Sequence, residues 1–103
     1  MDIINNFEKM LQSGQDNAML RFGLGQAYLK EKQYDNAVKH LEQATLHDPE
    51  YSAAWKLLGK AYAQLDDTKH AITSYQSGIE VAERKGDKQA AKEMQIFLKR
   101  LLK

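Results

Sequence analysis

The chain has 103 residues, enough for one domain with a modest core, and it has no cysteine, which excludes disulfides and thiolate metal sites. Apolar residues make up 43% and charged residues 28%, a globular balance that excludes an intrinsically disordered chain. The 15 basic and 14 acidic side chains leave a formal net charge of +1, so no overall field attracts nucleic acid or an acidic membrane.

The predicted elements are all helices, because apolar residues recur at steps of three and four and no long stretch alternates as a strand does. Residues 1–8 lack the basic segment and apolar run of a signal peptide, and no apolar run approaches a bilayer span. We therefore expect a soluble, cytoplasmic protein. In chain order, the predicted helices span about 2–13, 16–31, 35–47, 52–65, 68–84 and 87–102. Candidate helix caps are Asp16, Asp35, Ser52, Asp67 and Asp87, with Gly86 ending the fifth helix.

The middle of the chain repeats with a period of 34 residues. A shift by this distance superposes Leu24 on Leu58, Gly25 on Gly59, Ala27 on Ala61, Tyr28 on Tyr62 and Ala37 on Ala71. It also superposes similar residues, Val38 on Ile72, Leu41 on Tyr75 and Ala44 on Gly78. Small residues let two helix backbones approach and large ones fill the grooves beside them, so the pattern predicts closely paired helices.

These segments resemble tetratricopeptide repeats. Leu24-Gly25-x-x-Tyr28, followed by Pro49, is similar to one repeat, and Trp55-x-x-Leu58-Gly59-x-x-Tyr62 carries the full signature of the family's first helix. The resemblance implies an all-α fold, in which antiparallel helix hairpins stack into a short right-handed superhelix (an α-solenoid) of about six helices. The implied single domain, 1–103, comprises an N-terminal half-repeat helix at 2–15, repeats at 18–51 and 52–85, and a capping helix at 87–102. The departures from the family pattern are Arg21 in place of tryptophan, Glu83 in place of proline, and Lys32 and Asp66 in place of the turn glycine.

The resemblance also implies a kind of function. Members of the family usually bind a polypeptide in the concave groove that the first helix of each repeat lines. The side chains expected to face this groove are Met19, Phe22, Gln26, Leu29 and Lys30, and then Lys56, Lys60, Ala63 and Gln64. The apolar members and the lysine pair together would complement a ligand with an acidic end and an apolar neighbour. Alternatively, Met19 and Phe22 pack against the N-terminal helix, and the lysines are simply solvated.

One binding mode of the family is not supported by the residues present. Chaperone-binding members hold acidic C-terminal peptides with a clamp of Lys, Asn, Asn, Lys and Arg. The matching positions are Phe22, Gln26, Leu57, Asp87 and Ala91, and none of them has the required side chain. The resemblance therefore does not imply that activity here.

No residue set predicts catalysis, a cofactor or a metal site. Gly23-Leu24-Gly25 lacks the third glycine and the preceding strand of a nucleotide-binding loop, and helix packing explains it better. The three histidines, His40, His47 and His70, lack metal-ligand spacing and are expected on the surface. The C-terminal helix is basic, but nearby carboxylates dilute the charge and we expect no aromatic platform among its cations, so nucleic-acid binding is not predicted.

The leading prediction is a non-enzymatic adaptor that binds an unknown protein or peptide and is itself a monomer or a weak homo-oligomer. The alternative is a structural or homo-oligomeric subunit that docks through its terminal helices. That alternative is motivated by the wide apolar stripe of the last helix, which includes Ile96 and Leu102 off its main face. Neither nucleic acid nor a membrane is expected as a partner.

Overall fold

The computed structural model describes residues 2–103 as six α-helices joined by short turns. They are α1 (Ile3–Gln12), α2 (Ala18–Lys30), α3 (Tyr34–His47), α4 (Ser52–Gln64), α5 (Thr68–Arg84) and α6 (Lys88–Leu101). Every helix expected from the sequence is present, with ends within two residues of the predicted ones. Residues 2–103 contain no strand, and none of their helices is long and apolar enough to cross a bilayer. Met1, the first residue of the predicted domain, lies outside the described residues.

The helices form a stack of hairpins. Helix α2 packs against α3 and α4 packs against α5, while contacts of α3 with α4 and of α5 with α6 join the hairpins into one body 41 Å long. Helices α2, α4 and α6 also touch one another in order, so they form one layer, here called the inner helices. Helix α1 covers α2 at the N-terminal end. The predicted all-α stack of helix hairpins is therefore confirmed.

Two glycines mark where the paired helices come closest. A methyl group on Gly59 would lie 2.6 Å from Cε1 of Tyr75, and one on Gly25 would overlap the side chain of Leu41. Both the glycines and the large residues facing them are 34 positions apart, so the same contact closes both hairpins. The repeated small and large residues thus have the packing role that their spacing predicted.

Three of the predicted helix caps are wrong. Helix α2 is capped by Asn17, whose Oδ1 accepts a hydrogen bond from the Leu20 amide at 2.8 Å, rather than by Asp16. Asp35 lies in the first turn of α3, and Ser52 is the first residue of α4. Neither helix has a side-chain cap, because the residues that precede them, Gln33 and Tyr51, accept no cap hydrogen bond.

The other helix-end predictions are confirmed. Asp67 accepts a hydrogen bond from the His70 amide at 3.2 Å, and Asp87 accepts one from the Ala90 amide at 3.1 Å. Gly86 follows α5 with a φ of +79°, a left-handed conformation that glycine adopts without steric cost.

A tyrosine of each of the first two inner helices hydrogen-bonds a carboxylate of the helix before it. The hydroxyl of Tyr28 donates to Oε2 of Glu8 at 2.6 Å, and the hydroxyl of Tyr62 donates to Glu42. The two pairs are 34 residues apart, so α1 bears the same relation to α2 as α3 bears to α4. The hydrogen bond to Glu8 raises the pKa of Tyr28 to about 12, because a phenolate beside a carboxylate is unfavourable.

His40 is buried, which contradicts the expectation that all three histidines lie on the surface. It is 3% exposed, Arg21 Nη1 donates to its Nδ1 at 3.1 Å, and its Nε2 lies 3.5 Å from Glu8. Because a guanidinium only donates, Nδ1 accepts and Nε2 carries the proton. Burial lowers the pKa of His40, Glu8 opposes this effect, and Arg21 and Lys39 reinforce it. Its partners lie on α1 and α2, so spacing within α3 did not reveal the burial.

Candidate peptide-binding groove

The inner helices enclose a groove of about 530 Å³ near their C-terminal ends. Helix α2 contributes one residue, α4 contributes three and α6 contributes three, with one more each from α3 and α5. We call this set the inner groove, and it consists of Leu29, Tyr34, Lys60, Ala63, Gln64, Tyr75, Phe97, Arg100 and Leu101. Its walls are packed helices, so their positions are set before any ligand arrives.

The predicted groove residues are not all in one place. Leu29, Lys60, Ala63 and Gln64 line the inner groove. Gln26 and Lys30 are exposed and are not part of its lining. The remaining three, Met19, Phe22 and Lys56, lie closer to the N-terminal ends of the inner helices.

The apolar patch expected at the start of α2 is engaged by the junction between α3 and α4. The ring of Phe22 stacks on the ring of Tyr51, with centroids 4.8 Å apart and planes inclined by 28°. Met19 is 76% exposed and borders a separate depression beside Tyr51 and Lys85. Phe22 therefore contacts Tyr51, and Met19 is too exposed to be packed against the N-terminal helix.

The lysine pair on α4 is divided by α6. Nζ of Lys56 lies 3.0 Å from Oε1 of Glu93, and this hydrogen bond is the main reason that the pKa of Glu93 is lowered, with Lys60 adding a smaller effect. Lys60, one turn later, instead lies over the ring of Phe97, with Nζ 5.1 Å from its centroid. The two lysines therefore differ: Lys56 is paired with a carboxylate, and Lys60 faces the inner groove.

A second cation lies beside the same ring. Cζ of Arg100 is 5.8 Å from the Phe97 centroid, within the range of an attractive cation–π contact. Within residues 2–103, neither Arg100 nor Lys60 forms an ion pair, and the lining of the inner groove has no carboxylate. Phe97 is thus the aromatic side chain among the C-terminal cations that the sequence analysis did not expect.

The aromatic side of the groove is firmly supported. The Phe97 ring packs against Tyr75 with centroids 5.7 Å apart, and Tyr75 is 2% exposed. Burial raises the pKa of Tyr75 to about 12, so its phenol is uncharged near neutral pH and adds no negative charge to the groove. The groove therefore offers a ligand apolar contact, an amide from Gln64 and two positive charges. No cluster of potential metal ligands occurs among residues 2–103.

The sequence analysis missed the contribution of α6 because it treated that helix only as a cap. A shift of 36 residues places Leu58 on Met94, Ala61 on Phe97 and Tyr62 on Leu98, whereas a shift of 34 places them on Lys92, Gln95 and Ile96. Helix α5 has 17 residues where α3 has 14, which changes the register of α6. The longer shift was the available indication that α6 is a third inner helix.

Comparison with known proteins gives consistent matches along most of the chain. The sequence profile of the tetratricopeptide repeat matches residues 22–90. TPR repeat-containing protein PA0015 of Pseudomonas aeruginosa is 48% identical over 99 residues, covering 96% of this chain and 94% of that protein. A solution structure from Bordetella parapertussis superposes with a TM-score of 0.85 at 43% identity, covering 99% of this chain and 89% of that one. The heat-shock protein cognate co-chaperone sgt12 of Aspergillus fumigatus is 42% identical over 66 residues, which are 64% of this chain and 19% of that protein.

Proposed function

We propose, from the premise that this chain belongs to the tetratricopeptide repeat family, that it is a protein-interaction module whose inner groove holds a segment of a partner protein. The proposal includes no catalytic step and no cofactor, and it places the protein in the cytoplasm. Its main support is the groove itself: preset helical walls, an aromatic surface and two cations that lack a carboxylate partner among the described residues.

A relative described as a co-chaperone supports the class of function, since a co-chaperone acts by contacting another protein. It does not transfer a ligand to this chain, because the five clamp positions hold Phe22, Gln26, Leu57, Asp87 and Ala91. The partner segment is instead proposed to be recognised by the side chains of the inner groove.

Blocking the groove tests this proposal. Ala63→Met places a larger uncharged side chain in the lining, and Ala53→Met makes the same change at an exposed position of α4 outside it. Both variants and the wild type are immobilised, and the proteins retained from the source lysate are quantified. We expect the specifically retained proteins to be lost with Ala63→Met and kept with Ala53→Met, with unchanged circular dichroism. Equal retention by all three forms would contradict the use of the groove.

A second candidate function is assembly through the terminal helices. Its support is the exposure of large apolar side chains at both ends of the stack, with Ile3 57%, Ile96 47% and Leu102 62% exposed. Multi-angle light scattering over a concentration series measures this directly. Assembly requires a mass above 11.8 kDa that returns to the monomer value with Ile96→Lys, whereas a constant monomer mass argues against it.

A further inference from the structure

The positive charge of the concave surface is concentrated at one end of the inner groove. Lys56 is paired with Glu93, whereas Lys60 and Arg100 both lie beside Phe97 without an ion-pair partner in residues 2–103. The groove lining has these two cations and no acidic side chain. An anionic group that enters this end therefore meets attraction from two sides and no neighbouring carboxylate of the lining.

The other surface depressions lack this bias. The largest, of about 810 Å³ along α6, is lined by Glu83 and Glu93 as well as by Lys88 and Lys92. Charges of both signs at similar depth give no net preference for an anion. Among the depressions of the described residues, the inner groove is the one in which an aromatic surface and unpaired cations coincide.

The support beneath the two cations limits where an anion can bind. Phe97 packs on the buried ring of Tyr75, which holds it in place between α5 and α6. Lys60 Nζ and Arg100 Cζ lie 5.1 Å and 5.8 Å from the centroid of Phe97, so one ring brings charges from two helices together. The opposite end of the groove, toward Leu29 and Tyr34, carries no charge.

We propose that Lys60 and Arg100, beside Phe97, anchor a pair of acidic side chains from an internal, extended segment of the partner, with an apolar residue of that segment toward Leu29 and Tyr34. This inference rests on the proposed function of the inner groove. An extended chain presents every second side chain on the same face, roughly 6.7 Å apart, so two acidic residues separated by one other residue provide one carboxylate for each cation. A single terminal carboxylate would satisfy one cation and leave the other without a partner.

Selection from a display library of short random peptides tests the ligand chemistry without knowledge of the natural partner. Peptides are selected on the wild-type protein, and binders that Ala63→Met no longer retains are classed as groove binders. We expect the groove binders to be enriched in two acidic residues separated by one position and flanked by an aliphatic residue. The most enriched peptide is synthesised with a C-terminal amide, and its Kd is measured by fluorescence polarisation.

Charge-neutralising variants then locate the anchor. Lys60→Gln and Arg100→Gln should each weaken binding roughly two- to fivefold, as expected for partly exposed ion pairs, and high salt should have the same effect on the wild type. Lys69→Gln removes the same charge from an exposed position on α5 and should leave the Kd unchanged. Glu93→Gln should tighten binding, because it removes the carboxylate nearest to the cationic end and releases Lys56.

Each alternative outcome is decisive. Groove binders without acidic enrichment, or acidic binders insensitive to both Lys60→Gln and Arg100→Gln, would overturn the anchor and leave the groove proposal standing. A free C-terminal acid that binds much more tightly than the amide would replace the internal pair by a terminal carboxylate. A library that yields no binder sensitive to Ala63→Met would count against both the anchor and the groove.

Discussion

At the N-terminal end of the stack, α1 is held to its neighbours largely by hydrogen bonds, whereas at the C-terminal end α6 is held by buried apolar side chains. Helix α1 has no buried residue, and its Glu8 contacts Tyr28 and His40. Helix α6 buries Met94 completely and Ala91 almost completely. Apolar burial stabilises a helix with little dependence on pH, while hydrogen bonds and ion pairs depend on protonation.

The two ends also differ in how their contacts respond to change. The ring of Phe7 on α1 fills the space beside Gly23, where a methyl group would lie 2.8 Å from Cε2 of Phe7, but it remains partly exposed. Met94 fills the space beside Gly78 and is fully buried. We infer that α6 belongs to the cooperative core, whereas α1 opens at a lower free-energy cost.

The largest expected effect comes from the buried end. Met94→Ala should lower the free energy of unfolding by about 2–5 kcal/mol, because it leaves a cavity beside Gly78 and Tyr75. Met10→Ala makes the same change on α1, where Met10 is 38% exposed, and should cost about 0.5 kcal/mol or less. Urea unfolding measures both. Similar losses for the two variants would show that the ends do not differ in burial.

A smaller effect is expected from the repeated tyrosine hydrogen bond. Tyr28→Phe and Tyr62→Phe should each cost about 1 kcal/mol where the bond operates. For Tyr28→Phe the loss should appear as faster amide hydrogen exchange in α1, because Glu8 tethers only that helix. For Tyr62→Phe, whose partner Glu42 lies in the middle of the stack, it should appear in global unfolding. Faster exchange confined to α1 in both variants would break the comparison.

The turns within the two hairpins provide a matched test of their equivalence. Lys32 has a φ of 61° and Asp66 a φ of 60°, left-handed conformations that cost a residue with a Cβ atom free energy. Lys32→Gly and Asp66→Gly should each raise the free energy of unfolding by about 0.5 kcal/mol, the relief of strain less the added chain entropy. Differential scanning calorimetry should show a higher Tm for both. A lower Tm in either variant would mean that the lost side chain contributes more than the strain costs.

The smallest effect is expected from pH, and it should arise at the N-terminal end. Because burial lowers the pKa of folded His40, the unfolded chain binds a proton first as pH falls below about 6.5. Stability should therefore decline from neutral pH until the pH passes the folded pKa of His40, where Glu8, Arg21 and Lys39 face the ring. Urea midpoints at about pH 7.5 and about pH 5.5 measure the decline. The same decline in His40→Gln would assign it to other groups.

Most of the fold was predictable because its determinants are local or periodic. The helices follow from apolar spacing, and the pairing of Gly25 with Leu41 and of Gly59 with Tyr75 follows from the repeat of 34 residues. The helix starts were less predictable. Asn17 rather than Asp16 caps α2, because the carboxylate of Asp16 is engaged by Arg21 at 2.8 Å, and this pairing lowers the pKa of Asp16 to about 2.

The candidate site was only partly predictable. Leu29, Lys60, Ala63 and Gln64 were placed correctly on the inner helices, but half of the recognition surface comes from α3, α5 and α6. Phe97 and Arg100 were missed because α6 follows a helix three residues longer than its counterpart, which shifts its register. A search restricted to the 34-residue period assigns the wrong α6 residues to the groove.

By itself, the sequence determined that this protein is a stack of helix hairpins, because helix periodicity and the alternation of small and large residues act between neighbours along the chain or at one regular spacing. Only the tertiary structure decided that His40 is buried, that Lys56 is paired and that Lys60 is not. Burial and charge pairing depend on residues brought together from different helices, as Glu93 is brought to Lys56 across 37 positions. Those long-range contacts determine which of two neighbouring lysines on one helix is available to a partner.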